Sequence, residues 1–306
     1  MALLEVHDLV KLYGRSKILD KVSFTLGKGI HGLIGPNGAG KTTTLKVLLG
    51  LTNANAGNVR IFGLDVPKES ERVLERVGVL HENPRLPSWA TGRQFLRYVA
   101  SLKHASSAEE ILNAARTADI DYALDKSIGV YSAGMTQRIG FAAALIGNPE
   151  LIFLDEPTAN LDPLGRIDIW NRVKELQDEK GVNFVISTHA LFELEKVCQD
   201  VVILHQGTVL DQGTIEELTA RYSALEYRVR VDNSTLLISD FSKSKTVQTA
   251  EAQDGEVVVS VRNPEVFFRE LSRFIQETKS NLTDIKSCRF TLEDIFVEAF
   301  RRKLKE

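Results

Sequence analysis

The run Gly35-Pro36-Asn37-Gly38-Ala39-Gly40-Lys41-Thr42 fits the pattern G-x-x-x-x-G-K-[ST]. Apolar stretches at 30–34 and 43–49 flank it, so strand, glycine-rich loop and helix follow in that order. The glycines let successive backbone N–H groups turn inward around a phosphate; Lys41 adds a point charge, Thr42 a hydroxyl for a magnesium ion, and Thr43 continues the first turn. A helix starting here points its positive end at the same phosphates. A glycine-rich turn can merely join two elements, but here both neighbours supply the context the motif requires. The expected chemistry is binding of a nucleoside triphosphate.

Further along, Leu151-Ile152-Phe153-Leu154 is followed directly by Asp155-Glu156-Pro157. A continuous apolar run reads as a strand buried on both faces, with the acids at its carboxyl end, where open α/β sheets place their ligand sites. Two acids there could also cap the next helix. A second buried run at 183–187 delivers Thr188-His189 to the same edge; a histidine so placed is either core or functional. Tyr13-Gly14 lies between two strand segments, where the ring is either a packing residue or an exposed face on a turn.

The elements that must position these groups alternate between strands and helices, as in a mainly parallel sheet covered on both sides. Residues 3–26 alternate apolar and polar, which implies a separate sheet with one wet face. Residues 67–77 are expected to be helical, then 78–84 a short strand running into a loop containing Glu82. Nothing from 92 to 125 reads as a strand, so a helical insertion, about 84–147, interrupts the α/β core. Tyr131-Ser132-Ala133-Gly134 opens its last helix, and Asp162-Pro163 starts another with an N-cap and a proline at N1. Past residue 222 the pattern changes to alternating strands and amphipathic helices around Phe267, Leu271, Phe274, Leu292 and Ile295. The expected division is 1–222 and a small α+β domain at 223–306, in which no catalytic constellation is seen.

Lys+Arg 38 against Asp+Glu 41 gives a net charge of −3, which argues against general nucleic-acid binding. Cys198 and Cys288 have neither metal spacing nor a dense disulfide pattern and read as buried thiols. No window approaches the roughly 20 apolar residues of a membrane span, and the N-terminus has no basic start or cleavage signal. The chain is expected to be cytoplasmic.

Taken together, these motifs closely resemble the ATP-binding cassette of ABC transporters, over about residues 3–221. The resemblance implies a P-loop NTPase core, with an antiparallel β subdomain and the helical insertion. Residues 35–42 match the Walker A loop, Tyr13 the aromatic that stacks on adenine, and Asp155 the Walker B acid that holds Mg2+. Glu156 resembles the general base for attack on the γ-phosphate, and His189 the switch histidine that holds it. Asn160-Leu161-Asp162 resembles the D-loop, which reaches the opposing subunit. Ser132 to Arg138 resembles the signature motif, whose Ser132 hydroxyl and Gly134 amide meet ATP bound to the other subunit.

Two positions depart from the usual family pattern. Ala133 stands where Leu-Ser-Gly-Gly-Gln has a glycine, a strained choice if that position needs positive φ, at about 1 kcal/mol. Glu82 occupies the place of the Q-loop glutamine, where a carboxylate can still ligate magnesium or can simply be an exposed acid. The tail, with Leu292-Glu293-Asp294-Ile295-Phe296, resembles cassettes of the type-two exporters of drugs, lipids or polysaccharides. The implied protein is an ATPase subunit that binds ATP and Mg2+ and forms a homodimer or heterodimer with another cassette. It would energise export through a separate integral membrane permease, held at the inner face of the cell membrane. A soluble ABC ATPase of DNA repair or translation and a regulatory nucleotide-binding module are the alternatives.

Overall fold

The apolar runs ending in Ile34, Asp155 and Thr188 form strands in which every residue is buried, as a sheet covered on both faces requires. The computed structural model describes residues 2–104, 107–222, 225–261, 263–287 and 291–303. It divides into two units: residues up to Ile215 together with those from Ala299 on, and Glu216–Glu298.

The first unit begins with β1 (Leu4–Tyr13), β2 (Ser16–Leu26), β3 (Ile30–Ile34), α1 (Lys41–Leu48), β4 (Ala56–Ile61), β5 (Leu64–Val66), α2 (Ser70–Glu75) and β6 (Val77–Leu80). The helical insertion follows as α3 (Gly92–Leu102), α4 (Ala108–Thr117) and α5 (Ala133–Leu145). Then come β7 (Leu151–Asp155), α6 (Pro163–Lys180), β8 (Asn183–Thr188), α7 (Leu191–Leu194), β9 (Asp200–His205) and β10 (Thr208–Thr214). Helix α8 (Ile215–Tyr222) crosses the division. The predicted helix at 67–77 is shorter, because Val77 belongs to β6 and pairs with Leu151 of β7.

Two sheets carry this unit. An antiparallel sheet has the order β2-β1-β4-β5, and a six-stranded sheet the order β10-β9-β3-β8-β7-β6. Within the latter, β9-β3-β8-β7-β6 are parallel and only β10 is antiparallel, on the edge. Their facing sides share a core that includes Leu4, Val6, Leu9 and Leu19 from one sheet and Leu33, Phe153, Val185 and Val202 from the other. Local capping sets the insertion's boundaries: Thr91 and Gln94 form a reciprocal capping box on α3, and Ser132 accepts from the Met135 N–H at the start of α5. Burial pushes the Cys198 thiol up to about 12, an inert core position, whereas Cys288 lies outside the described residues.

The second unit contains β11 (Leu225–Val231), α9 (Ser234–Phe241), β12 (Val247–Gln253), β13 (Glu256–Val261), α10 (Pro264–Thr278), β14 (Leu282–Ser287) and most of α11 (Leu292–Lys303). Its sheet, ordered β12-β13-β11-β14, is antiparallel throughout. Val229, Val257 and Val259 meet Leu237, Phe241, Phe267, Leu271 and Phe274 in a core of its own.

Phe153 is fully buried at the centre of β7, between the sheets. Phe153→Ala should destabilise the first unit by about 3–5 kcal/mol, the usual cost of emptying an aromatic site in a packed core. Denaturant unfolding checks this; a loss below about 1 kcal/mol would mean the core relaxes to fill the space.

Candidate functional site

Four adjacent parallel strands end at one edge, and each is followed within two residues by a residue of the candidate site. Gly35 follows β3, Glu156 follows β7, His189 follows β8, and Glu82 lies just beyond β6. The register makes this edge level, since Ile34 pairs with Thr188 and Asp155 with Ser187. A cleft of about 550 Å³ opens there, lined by residues of the 36–43 loop with Ile18, Glu82, Asp155, Glu156 and His189.

The loop leaves little room for side chains. A Cβ on Gly35 would meet the Leu204 carbonyl oxygen at 2.4 Å, and one on Gly40, at φ 104°, would meet Leu19 at 2.7 Å. Helix α1 therefore starts at Lys41 behind a glycine with no side-chain cap, which leaves its first N–H groups facing the cleft. Lys41 Nζ is buried and donates to the Gly35 carbonyl at 2.6 Å and the Pro36 carbonyl at 3.2 Å. Burial lowers its pKa, against the attraction of Glu156, Asp155 and Glu82.

Asp155 is buried, with Oδ2 3.4 Å from Thr42 Oγ1. Burial raises its pKa, and neighbouring Glu156 pushes the same way. Thr42 and Asp155 are hard oxygen donors side by side, a set that suits Mg2+ and not a softer metal. Among the described residues no cluster of three or more His, Cys, Asp or Glu could hold a metal by itself. Mg2+ takes one or two carboxylates and completes its shell with water and substrate phosphates. Glu82 is exposed on the wall of the same cleft.

Glu156 is held at every polar atom. Its N–H donates to the Ser187 carbonyl at 2.7 Å, Oε2 accepts from Thr188 Oγ1 at 3.0 Å, and Oε1 lies 2.8 Å from His189 Nδ1. A carboxylate accepts, so the proton sits on Nδ1; the imidazole is otherwise 75% exposed. Glu156 has φ 49°, a strained conformation that turns its side chain toward His189 instead of continuing β7. The sequence brings Thr188 to this edge beside His189 but assigns it no role; the structure makes it a donor to Glu156.

The residues that resemble the signature motif lie elsewhere. Ser132, Ala133, Gly134 and Met135 line a second cleft of about 460 Å³ with Asn160, Leu161 and Asp162, and none of them lines the first. Ala133 is the first residue of α5, exposed and without positive φ, so the strain expected of an alanine there does not arise. Asp162 N-caps α6, accepting from the Gly165 N–H at 2.7 Å. Tyr13, at the end of β1, is 49% exposed and lies outside the lining of the first cleft, to which its hairpin contributes Ile18.

The family profile described as ABC transporter matches residues 19–159. The bacitracin transport ATP-binding protein BcrA of Bacillus licheniformis is 30% identical over 302 residues, 97% of this chain and 96% of its own length. The chain belongs to the ABC transporter ATP-binding family. The daunorubicin resistance ATP-binding protein DrrA3 of Streptomyces coeruleorubidus is 37% identical over 222 residues, 70% of this chain and 69% of that protein. A solved ATP-binding subunit of an ABC transporter superposes with a TM-score of 0.66 at 32% identity, over 72% of this chain and 93% of the other. ABC cassettes bind and hydrolyse ATP, and this one is an ATPase with the P-loop fold.

An acid whose folded pKa is raised lends stability that is complete below its unfolded pKa and is lost as pH rises through the folded value. At neutral pH the ionised Asp155 is therefore a cost to the fold. Asp155→Asn should raise the thermal midpoint of the nucleotide-free protein at pH 7.5, by roughly 2–4 °C for each kcal/mol relieved. The gain should shrink on acidification, when wild-type Asp155 takes up a proton. A lower midpoint at pH 7.5 would refute the cost.

Proposed function

We propose that this ATPase is the motor of an exporter whose membrane-spanning part is a separate permease. The observation that carries the reading is the carboxylate of Glu156, gripped by Thr188 and His189 at the lip of the phosphate-loop cleft. A carboxylate so fixed can orient a water for in-line attack and accept its proton.

In this reading the N–H groups of residues 38–43 and Lys41 bind the phosphates. Thr42 and Asp155 would hold Mg2+, with Glu82 on the wall of the same cleft as a further oxygen donor, and the ion would supply charge neutralisation to the phosphates. His189 keeps Glu156 aimed and meets the γ-phosphate with its other nitrogen. Tyr13 stacks on adenine from the hairpin. Ser132 and Gly134, apart from the phosphate loop of their own chain, engage the nucleotide of a second cassette, and Asp162 belongs to the same contact. The complete site thus needs a dimer, of like or unlike cassettes. The second unit, Glu216–Glu298, is an accessory domain with no part in nucleotide binding.

Export is favoured by the tail motif and by similarity to bacitracin transport and daunorubicin resistance proteins over much of the chain. No helix among the described residues is long and apolar enough to cross a membrane, so the path for substrate is assigned to a permease that holds the cassette at the inner membrane face.

Glu156→Gln keeps the shape and removes the proton acceptor, so hydrolysis should fall by ~100-fold or more. ATP binding should survive, and with ATP and Mg2+ size-exclusion chromatography should show a closed dimer that Glu156→Gln/Ser132→Arg cannot form. Hydrolysis at the wild-type rate would remove Glu156 as the base. For the adenine contact, Tyr13→Phe should keep ATP affinity, and Tyr13→Ala should weaken it by roughly 1–3 kcal/mol, the range for stacking on an aromatic ring. Equal affinity in wild type and the alanine variant would remove that assignment.

A further inference from the structure

Gln137 is a buried polar side chain that lines neither cleft. Gln137 lies just over one turn into α5, only 2% exposed, on the helix whose N-terminus carries Ser132 and Gly134. Its Nε2 donates to the carbonyls of Pro157 at 3.1 Å and Glu156 at 3.4 Å. Both partners are acceptors, which fixes the amide: the two N–H bonds of Nε2 match two carbonyl oxygens. The same Glu156 carbonyl accepts from the Ala159 N–H at 3.1 Å, and the Glu156 N–H is tied to Ser187. The strained backbone of Glu156 is thus pinned from β8, from the turn that follows it and from α5.

We infer that Gln137 is a positioning residue for hydrolysis: it holds the Glu156–Pro157 backbone so that the carboxylate meets Thr188 and His189. This rests on the assignment of Glu156 as base and of α5 as the helix that engages a second cassette. In a dimer, the helix reading the partner's nucleotide is then hydrogen-bonded to the base acting on its own. Engagement at one site is transmitted to the other through a single amide.

Gln137→Met keeps length and removes both donors. Its kcat should fall at least tenfold, while the Kd for ATP measured without magnesium stays within twofold. Glu156→Gln/Gln137→Met should still accumulate the ATP dimer, because Ser132 and Gly134 are untouched; a residue that merely supported α5 would lose it. Gln137→Glu, measured alongside, can donate only when protonated. Its rate relative to wild type should therefore rise as pH falls from 8 to 6. A kcat within twofold of wild type for Gln137→Met overturns the inference. So does loss of the dimer in the double variant with normal ATP binding, or a Gln137→Glu ratio independent of pH. Failure of the base assignment reads out separately, as wild-type hydrolysis by Glu156→Gln alone.

Discussion

Parallel pairing of β7 with β8 is the constraint on which the site depends. Asp155 lies opposite Ser187, and the next residue donates its N–H to the Ser187 carbonyl before the chain turns away. Side chains alternate along a strand, so a slip of one residue would exchange the faces of Asp155 and its neighbours and uncouple Thr188 from Glu156. Continuous burial of β3, β7 and β8 makes such a slip costly on both faces at once. The level edge that results brings the phosphate loop, the acids and His189 within one cleft.

That cleft collects charge where charge is expensive. Lys41 and Asp155 are both buried, and burial moves each pKa toward the neutral form. Asp155 and Glu156 are adjacent acids, with Glu82 on the wall, and Lys41 is the cation drawn to all of them. Phosphates on the loop side and a divalent cation beside Asp155 would balance both signs. The fold accepts local instability here because the balancing groups are the ones it is proposed to bind.

Much of this was legible in the sequence because the chemistry sits in short runs. A glycine-rich loop between a strand and a helix, and acids after four apolar residues, each carry their own context, and the structure places both at one edge. Less local features were harder to read. Ala133 looked strained only if its φ were positive, and a helix start makes it ordinary. Helix α9 is hard to read in the sequence because Ser234 and Thr235 mask a spacing in which Leu237 and Phe241 alone are fully buried. Gln137 falls inside the run that resembles the signature motif, but its contacts were not legible, since its partners are backbone carbonyls 19 and 20 residues away in sequence, in the turn after β7.

That link also explains why an amide stands where an apolar side chain would pack as well. Apolar contact tolerates sliding by a few tenths of an ångström, whereas a buried amide is satisfied only when both carbonyls lie at hydrogen-bond distance and in the right direction. Leaving Nε2 or the carbonyls unpaired would cost more than the bonds themselves contribute. The polar contact therefore discriminates between arrangements of α5 and the Glu156 turn more sharply than packing could. With the signature-like residues in one cleft and the proposed base in another, each chain of the proposed dimer would hold halves of two different sites. A contact that is intolerant of displacement is what would make those halves report on each other.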